Sequence, residues 1–188
     1  MIPRTEPTAA PERRKDMKCN AARIIGAVVA VAILATGCGS AGGAPSLTPG
    51  TEAELSAEAL AIGCSECALR QELFIRDQLF TWDTLAGDEE PMSQQIHDAI
   101  ATEFPNATFV SSDETDALFV DGIVINDGVI VSVGPIEKLA SDVIGVPFGV
   151  LFARLDGFAG VVQFKWSGDS WEYATSEDTG VTVTTAVS

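Results

Sequence analysis

The stretch IVINDGVIV, residues 123–131, decides the fold class of this chain. Two runs of mostly β-branched residues, 123–125 and 129–131, flank the triplet Asn126-Asp127-Gly128. Glycine adopts positive φ at little cost, so such a triplet between two β-type runs is a strong signal for a β-hairpin. The stretch therefore predicts antiparallel β-structure in the second half of the chain.

Two more hairpins are predicted further along, each from a turn signal between two β-type runs. Their turns are Asp156-Gly157, between runs 150–152 and 161–162, and residues 167–170, between Lys165-Trp166 and Trp171-Glu172. The other elements predicted in this half are a strand at 108–110, a short helix at 139–143 and a last strand at 181–187. Three hairpins in sequence predict an antiparallel meander.

The part of the chain between residues 52 and 105 is predicted to be helical. Apolar residues recur at helical spacing from Glu52 to Trp82, with Gly63 as a candidate break. A second, amphipathic helix is predicted from Pro91, which suits the first helical position, to Pro105, which ends it. Helices followed by strands predict an α+β fold, with the N-terminal helices packed on a mainly antiparallel β-meander sheet. Several strands are apolar on both faces, so we expect either both faces to be covered or one to carry a pocket or partner surface.

Residues 24–38, IIGAVVAVAILATGC, indicate where the protein is located. The run 24–35 is apolar apart from one glycine, follows Lys18 and Arg23, and leads through small residues into Cys38. Its length suits the core of a secretory signal, about 7–15 residues, and falls short of the ~20 residues that span a bilayer. The pattern resembles the signal peptide and lipobox of bacterial lipoproteins. That resemblance implies cleavage before Cys38 and attachment of a diacylglycerol to its sulfur, and two acyl chains anchor a protein stably.

This resemblance divides the chain into three parts. Residues 1–37 are the expected signal peptide, residues 38–50 a lipidated flexible tether rich in Gly, Ser and Pro, and residues 51–188 a single extracytoplasmic α+β domain. Two alternatives stay open: the apolar run could be an uncut membrane anchor, and translation could start at Met17 rather than Met1. In either case the membrane is the first expected partner.

The charge of the mature chain limits its other partners. Residues 1–37 contain three of the 27 acidic and six of the 11 basic side chains, so cleavage leaves a net charge of −19. A surface this acidic repels phosphate backbones, which excludes nucleic acid as a partner. It attracts cations and basic partners.

Cys64 and Cys67 are the only cysteines that remain besides Cys38. Outside the membrane an even pair is expected to oxidise, so we predict a disulfide between them. The Cys64-Ser65-Glu66-Cys67 sequence also resembles the C-x-x-C motif of thioredoxin-like oxidoreductases. That resemblance implies a redox enzyme in which Pro147 faces the two sulfurs. The pair lacks the two further ligands that a zinc site needs.

No other residue points clearly to catalysis, a metal or a cofactor. Ser93 and His97 share one side of a helix, but nothing at Ser93 has the sharp turn of an activated nucleophile, and a solvated histidine is expected. Acidic clusters match no calcium loop, and Trp166 and Trp171 are expected to pair across strands. The sequence therefore favours a non-catalytic envelope lipoprotein that binds a ligand, a wall component or a protein. The alternatives are a thiol-disulfide oxidoreductase using Cys64 and Cys67 and, more weakly, a carboxylate-dependent hydrolase.

Overall fold

The computed structural model of the chain describes residues 44–65, 67, 70–80 and 90–182, and the backbone of residues 186 and 187. The expected signal peptide and Cys38 lie outside these residues. So do residues 81 and 82, at the end of the first predicted helix, and residues 183–185 of the last predicted strand. None of the helices within the described ranges is both long enough and apolar enough to cross a bilayer.

Four helices and ten strands make up the described part of the chain. The helices are α1 (Pro49–Gly63), α2 (Gln94–Glu103), α3 (Ser112–Thr115) and α4 (Ser176–Thr179). The first five strands are β1 (Leu73–Arg76), β2 (Thr108–Val110), β3 (Phe119–Val120), β4 (Ile123–Val124) and β5 (Val129–Val133). The others are β6 (Glu137–Lys138), β7 (Val143–Ala153), β8 (Asp156–Trp166), β9 (Trp171–Ala174) and β10 (Ala186–Val187).

The strands form one mixed sheet. Its main order is β10-β8-β7-β5-β1-β2, with β3, β4, β6 and β9 paired at its margins. Strand β1 runs parallel to both β2 and β5, whereas β5, β7, β8, β9 and β10 pair antiparallel. The α+β class is consistent with this arrangement, but the mainly antiparallel meander predicted from the sequence is wrong. The sheet is mixed, because β5, β1 and β2 run parallel to one another on one side of it.

The parallel part arises where the sequence predicted helix from Glu52 to Trp82, with Gly63 as a candidate break. Helix α1 ends at Gly63, the expected break, but Leu73–Arg76 then forms β1 instead of more helix. Ile75 packs in the cluster under α1, and Phe74 packs in a second cluster on the opposite face of the sheet. A short apolar run buried on two sides satisfies a helical or a strand period equally well, which is why the spacing was misleading.

The first predicted hairpin is also wrong. Strand β4 pairs with β3 through the turn Asp121-Gly122, whose φ values are 54° and 82°, while β5 pairs with β1 and β7. Positive φ within the 126–128 triplet falls on Asn126 and Asp127, at 55° and 52°, whereas Gly128 has a φ of −83°. The triplet thus turns the chain toward β1 and does not join two paired strands.

Other predicted elements can be compared directly. The hairpins β7–β8 and β8–β9 and the strand at 108–110 are confirmed. The turn predicted at Asp156-Gly157 is wrong, because these residues begin β8 and Arg154-Leu155 forms the turn. The helix at 139–143 is wrong, because the amide N–H groups of Leu139 and Ala140 both donate to the Val143 carbonyl, each at 3.0 Å, and close a turn between β6 and β7. Helix α2 begins at Gln94 after its N-cap Ser93, and Pro91 lies in the preceding segment.

Both faces of the sheet are covered. On one face α1 and α2 bury the side chains of alternate residues on β5 and β7, including Val129, Val131, Val146 and Phe148. On the other face residues 118–125 pack over Phe74, Val110 and Ile130. Coverage of both faces explains why these strands are apolar throughout.

Gly128 is required by a close contact. A Cβ atom at this position would lie 2.8 Å from the Ile125 carbonyl oxygen and 2.9 Å from the Phe74 ring. We expect Gly128→Ala to lower the free energy of unfolding by about 1–3 kcal/mol, because the neighbouring backbone has to move. The matched control is Gly50→Ala in α1, where a Cβ meets nothing closer than 4.0 Å; this variant should gain about 0.5–1 kcal/mol. Urea denaturation of the two variants measures both effects, and equal stabilities would contradict the proposed role of the contact.

Candidate functional site

The candidate site surrounds the C-terminal turn of α1. The helix ends where the amide N–H of Cys64 donates to the Leu60 carbonyl at 2.9 Å. Gly63 lies directly on the Phe148 ring, and a Cβ there would be 2.7 Å from two ring carbons. The missing side chain therefore lets the helix end sit on the sheet, and an open cleft lies on each side of this turn.

The larger cleft, which we name the α1–β8 groove, has a volume of about 580 Å³. Its apolar wall comprises Ile62, Phe148, Phe158, Val162 and Tyr173, and its polar end comprises Gln163, Thr175 and Ser176. The rings of Phe148 and Phe158 meet edge to face with centroids 6.0 Å apart. Tyr173 is 52 % exposed at the rim. The groove has the size and the mainly apolar lining typical of sites for small molecules or for one side of a peptide.

Hydrogen bonds hold the polar end of the groove in place. Gln163 is buried, and its side-chain amide donates to the Val181 carbonyl at 2.9 Å and to the Ser176 hydroxyl at 3.4 Å. The Asp178 carboxylate caps the start of α4 by accepting from the Thr175 hydroxyl at 2.7 Å and the Thr175 amide at 3.0 Å. These bonds, the hydroxyl first, lower the pKa of Asp178. The end of the groove is thus formed by a segment tied to β8.

The second cleft, which we name the cysteine cleft, has a volume of about 440 Å³ and lies between α1, α2 and the start of β1. Cys64, Cys67, Arg70 and residues 103–107 line it. The Arg70 guanidinium donates to the Asp127 carboxylate at 2.8 Å and lies 4.7 Å from the centre of the Phe152 ring. The one cation lining this cleft is therefore already paired and stacked, so it is a fixed part of the wall.

Cys64 and Cys67 lie with their sulfurs at bonding distance and their Cα atoms 5.1 Å apart, and each residue is 4 % exposed. They sit at the carboxyl end of α1, where the helix dipole places partial negative charge and disfavours a thiolate. A reactive C-x-x-C pair needs the opposite end of a helix. This position favours the structural interpretation of the pair over the redox one.

The structure does not bring Pro147 to the cysteines. On β7 the neighbouring residues Val146 and Phe148 both pack in the cluster under α1. Pro147 lies between them and therefore points to the other face of the sheet, where its ring lies beside Gly134. The arrangement implied by the thioredoxin-like resemblance is absent at these residues.

The remaining candidates have structural roles in the described part of the chain. The Ser93 hydroxyl caps α2 by accepting from the Ile96 amide at 3.3 Å. The His97 ring stacks on the Phe109 ring, with the ring centroids 3.8 Å apart. Trp166 and Trp171 pair across β8 and β9, as predicted, with ring centroids 5.5 Å apart. The Glu114 carboxylate caps α3 by accepting from the Ser111 amide and hydroxyl, and this lowers its pKa. Among the described residues, no three His, Cys, Asp or Glu side chains are placed to hold a metal ion.

Comparison with known proteins gave no match: no family model, no curated protein and no solved structure is detectably similar to the chain. The function therefore has to be inferred from the residues of this chain alone.

Glu58 and Glu103 carry like charges on α1 and α2, the two helices that border the cysteine cleft. Partial burial raises the pKa of Glu58, and the Glu103 carboxylate raises it further. A carboxyl group whose pKa is higher in the folded state costs stability as the pH rises through and above 4.5, its ordinary value. We expect Glu58→Gln to be more stable than the parent at pH 7 and equal to it at pH 4. Glu58 is exposed to solvent, which screens its charge, so the gain should be small.

Urea denaturation at the two pH values measures this difference. Glu54→Gln, which removes the same charge from an exposed position one turn earlier, is the matched control. An equal gain in both variants at pH 7 would show that only the net charge matters.

Proposed function

We propose that this protein is a lipid-anchored extracytoplasmic protein whose α1–β8 groove binds a ligand with an apolar body. The residues that support the anchor are the apolar run 24–35 and the small residues before Cys38. In this proposal Cys38 is the first residue of the mature chain and carries a diacylglycerol. The predicted tether, residues 38–50, then leads to the domain, and the end of this segment already belongs to the fold, since Leu47 packs against the core and α1 begins at Pro49.

The observation that carries the binding role is the composition of the groove. Phe148, Phe158 and Tyr173 offer aromatic surface next to the hydroxyl-bearing residues Thr175 and Ser176. Aromatic walls with a few fixed polar groups recognise molecules that have an apolar body and a hydrogen-bonding end. The acidic chain repels anions, so the favoured ligand is neutral or cationic. A small molecule, a wall component or the side chains of a protein segment all meet this description.

We further propose that Cys64 and Cys67 form a structural disulfide. It would clamp the turn between the two clefts, at the place where α1 ends on the Phe148 ring. Closing so short a loop restricts the unfolded chain little, so its contribution belongs at the low end of the ~0–5 kcal/mol range for disulfides. The clamp would act mainly by keeping the groove wall in place.

The anchor and the disulfide are tested together by intact-mass analysis of protein extracted from membranes. We expect a chain that starts at Cys38 and carries a diacylglycerol, and we expect no added mass after treatment with iodoacetamide without reductant. After reduction, two alkyl groups should be added, at Cys64 and Cys67. A chain that retains Met1 or Met17 would contradict the anchor, and alkylation before reduction would contradict the disulfide.

The groove is tested by titration with a neutral fluorescent apolar probe, N-phenyl-1-naphthylamine. The chain from residue 44 onward is used once circular dichroism has shown that it is folded. Tyr173→Ser should weaken probe binding about fivefold, because loss of a half-exposed aromatic contact costs ~1 kcal/mol. The control is Glu172→Ser, an exposed neighbour that points to the other face of β9. Equal probe binding by the two variants would show that the α1–β8 groove is not the binding site.

A further inference from the structure

Two tight turns meet at one end of the sheet. The β3–β4 turn, Asp121-Gly122, lies against the β7–β8 turn, where the Arg154 amide donates to the Gly122 carbonyl at 2.8 Å. Ile123 pairs with Val120 in one direction and with Ala153 in the other. These contacts join the two hairpins into one surface, which we name the hairpin tip.

Three large apolar side chains of the hairpin tip face solvent. Val120 is 59 % exposed, Ile123 is 61 % exposed and Leu155 is 87 % exposed. Single exposed apolar residues are common, but three on adjacent turns form a patch, and such patches mark interaction sites. In the described part of the chain, Tyr173 is the only other large hydrophobic side chain this exposed, and it lies at the groove.

The base of the hairpin tip is held by fixed contacts. The Arg154 guanidinium lies 5.0 Å from the centre of the Phe119 ring and 3.2 Å from the Asp116 carboxylate. Phe119 in turn packs against the second core cluster. The exposed side chains thus stand on an ordered platform, and a partner would not have to order it first.

The rim of the hairpin tip is acidic. Asp121 is part of the β3–β4 turn, and Asp156 directly follows Leu155 of the β7–β8 turn. Asp116 lies beside Arg154. Arg154 is the one basic residue among them and is already paired. An apolar patch with an acidic rim complements an apolar surface with a basic rim, and such pairing speeds association and selects the partner.

The hairpin tip and the first described residues of the chain lie at opposite ends of β7. Residues 44–47 lie beside Ile144 and Trp171, at the start of β7, whereas the tip lies beyond its last residue, Ala153. Ile144 and Ala153 are nine residues apart along β7, which corresponds to about 30 Å.

We propose that the hairpin tip docks a cationic amphipathic segment of another protein. A second copy of this chain would bring acidic rims together, and an anionic membrane would repel them. The hairpin tip shares no residue with the α1–β8 groove, so it is a second binding surface.

The test uses the lipidated mature protein in nanodiscs of zwitterionic lipid, with empty discs as the blank. The probes are two fluorescent 12-residue peptides, one of alternating lysine and leucine and one of alternating glutamate and leucine. We expect the lysine peptide to bind, to bind more weakly as salt rises, and to bind more tightly than the glutamate peptide. Ile123→Ser combined with Leu155→Ser should weaken its binding about tenfold, and Ile123→Val with Leu155→Met should restore it.

Further variants test whether the lysine peptide binds at the hairpin tip itself. Asp121→Asn with Asp156→Asn should weaken binding and flatten the salt dependence, whereas Asp142→Asn with Asp169→Asn, the same charge change elsewhere, should not. Leu155→Ser alone is the control for misfolding. Because Leu155 is the most exposed of the three side chains, this variant should keep the thermal unfolding temperature of the parent. Unchanged binding in the serine variants overturns the proposal. The proposal is also overturned if the parent protein self-associates in sedimentation, or floats with added vesicles, and the serine variants abolish that behaviour.

Discussion

Strand β7 is the constraint on which the rest of the structure depends. It pairs with β5, β8, β4 and β6, and its first eight residues, 143–150, are all buried. Even-numbered residues such as Val146 and Val150 pack under the helices, and odd-numbered ones face the other layer. Because a strand alternates its faces, a shift of one residue would exchange the two sets of side chains and disrupt both layers. The register of β7 therefore determines what borders the groove, the cysteine turn and the hairpin tip.

Local signals in the sequence predicted the parts of the fold that are formed by neighbouring residues. The β7–β8 and β8–β9 hairpins and the break at Gly63 depend on a few consecutive residues. Both hairpins were predicted, although the β7–β8 turn was placed two residues too late, and Gly63 was the candidate break where α1 ends. The failures concern distant pairing. The Asn126-Asp127-Gly128 triplet was recognised as a turn, but its partner is the segment before β1, where Arg70 bonds Asp127 across 57 residues of sequence. A turn signal specifies that the chain reverses and does not specify which strands it joins. The dipeptide Asp121-Gly122 offered the same signal and is the one that closes a hairpin.

The candidate site was less predictable than the fold, and for a physical reason. The α1–β8 groove takes its walls from α1, β7, β8 and β9, and its residues extend from Ile62 to Ser176. None of these residues has a chemistry that requires a fixed spacing, as metal ligands or a nucleophile would. The cysteine pair was visible because its chemistry is local, whereas the aromatic walls look like ordinary core residues in the sequence. The visible signal that could have been used was Gly63, whose lack of a side chain allows α1 to end on Phe148.

The few basic residues of the described part of the chain hold surface segments to the sheet. Arg70 joins the 126–128 loop to the segment before β1, and Arg154 joins Asp116 to the β7–β8 turn. Arg76 donates to the Ser112 hydroxyl at 2.6 Å, and Lys165 donates to the Asp178 carbonyl at 3.2 Å. These cations connect surface segments to the sheet, and Arg70 and Arg154 stay partly exposed in doing so. The acidic net charge comes from the excess of 27 acidic over 11 basic side chains. This charge favours a neutral or basic partner at either apolar surface.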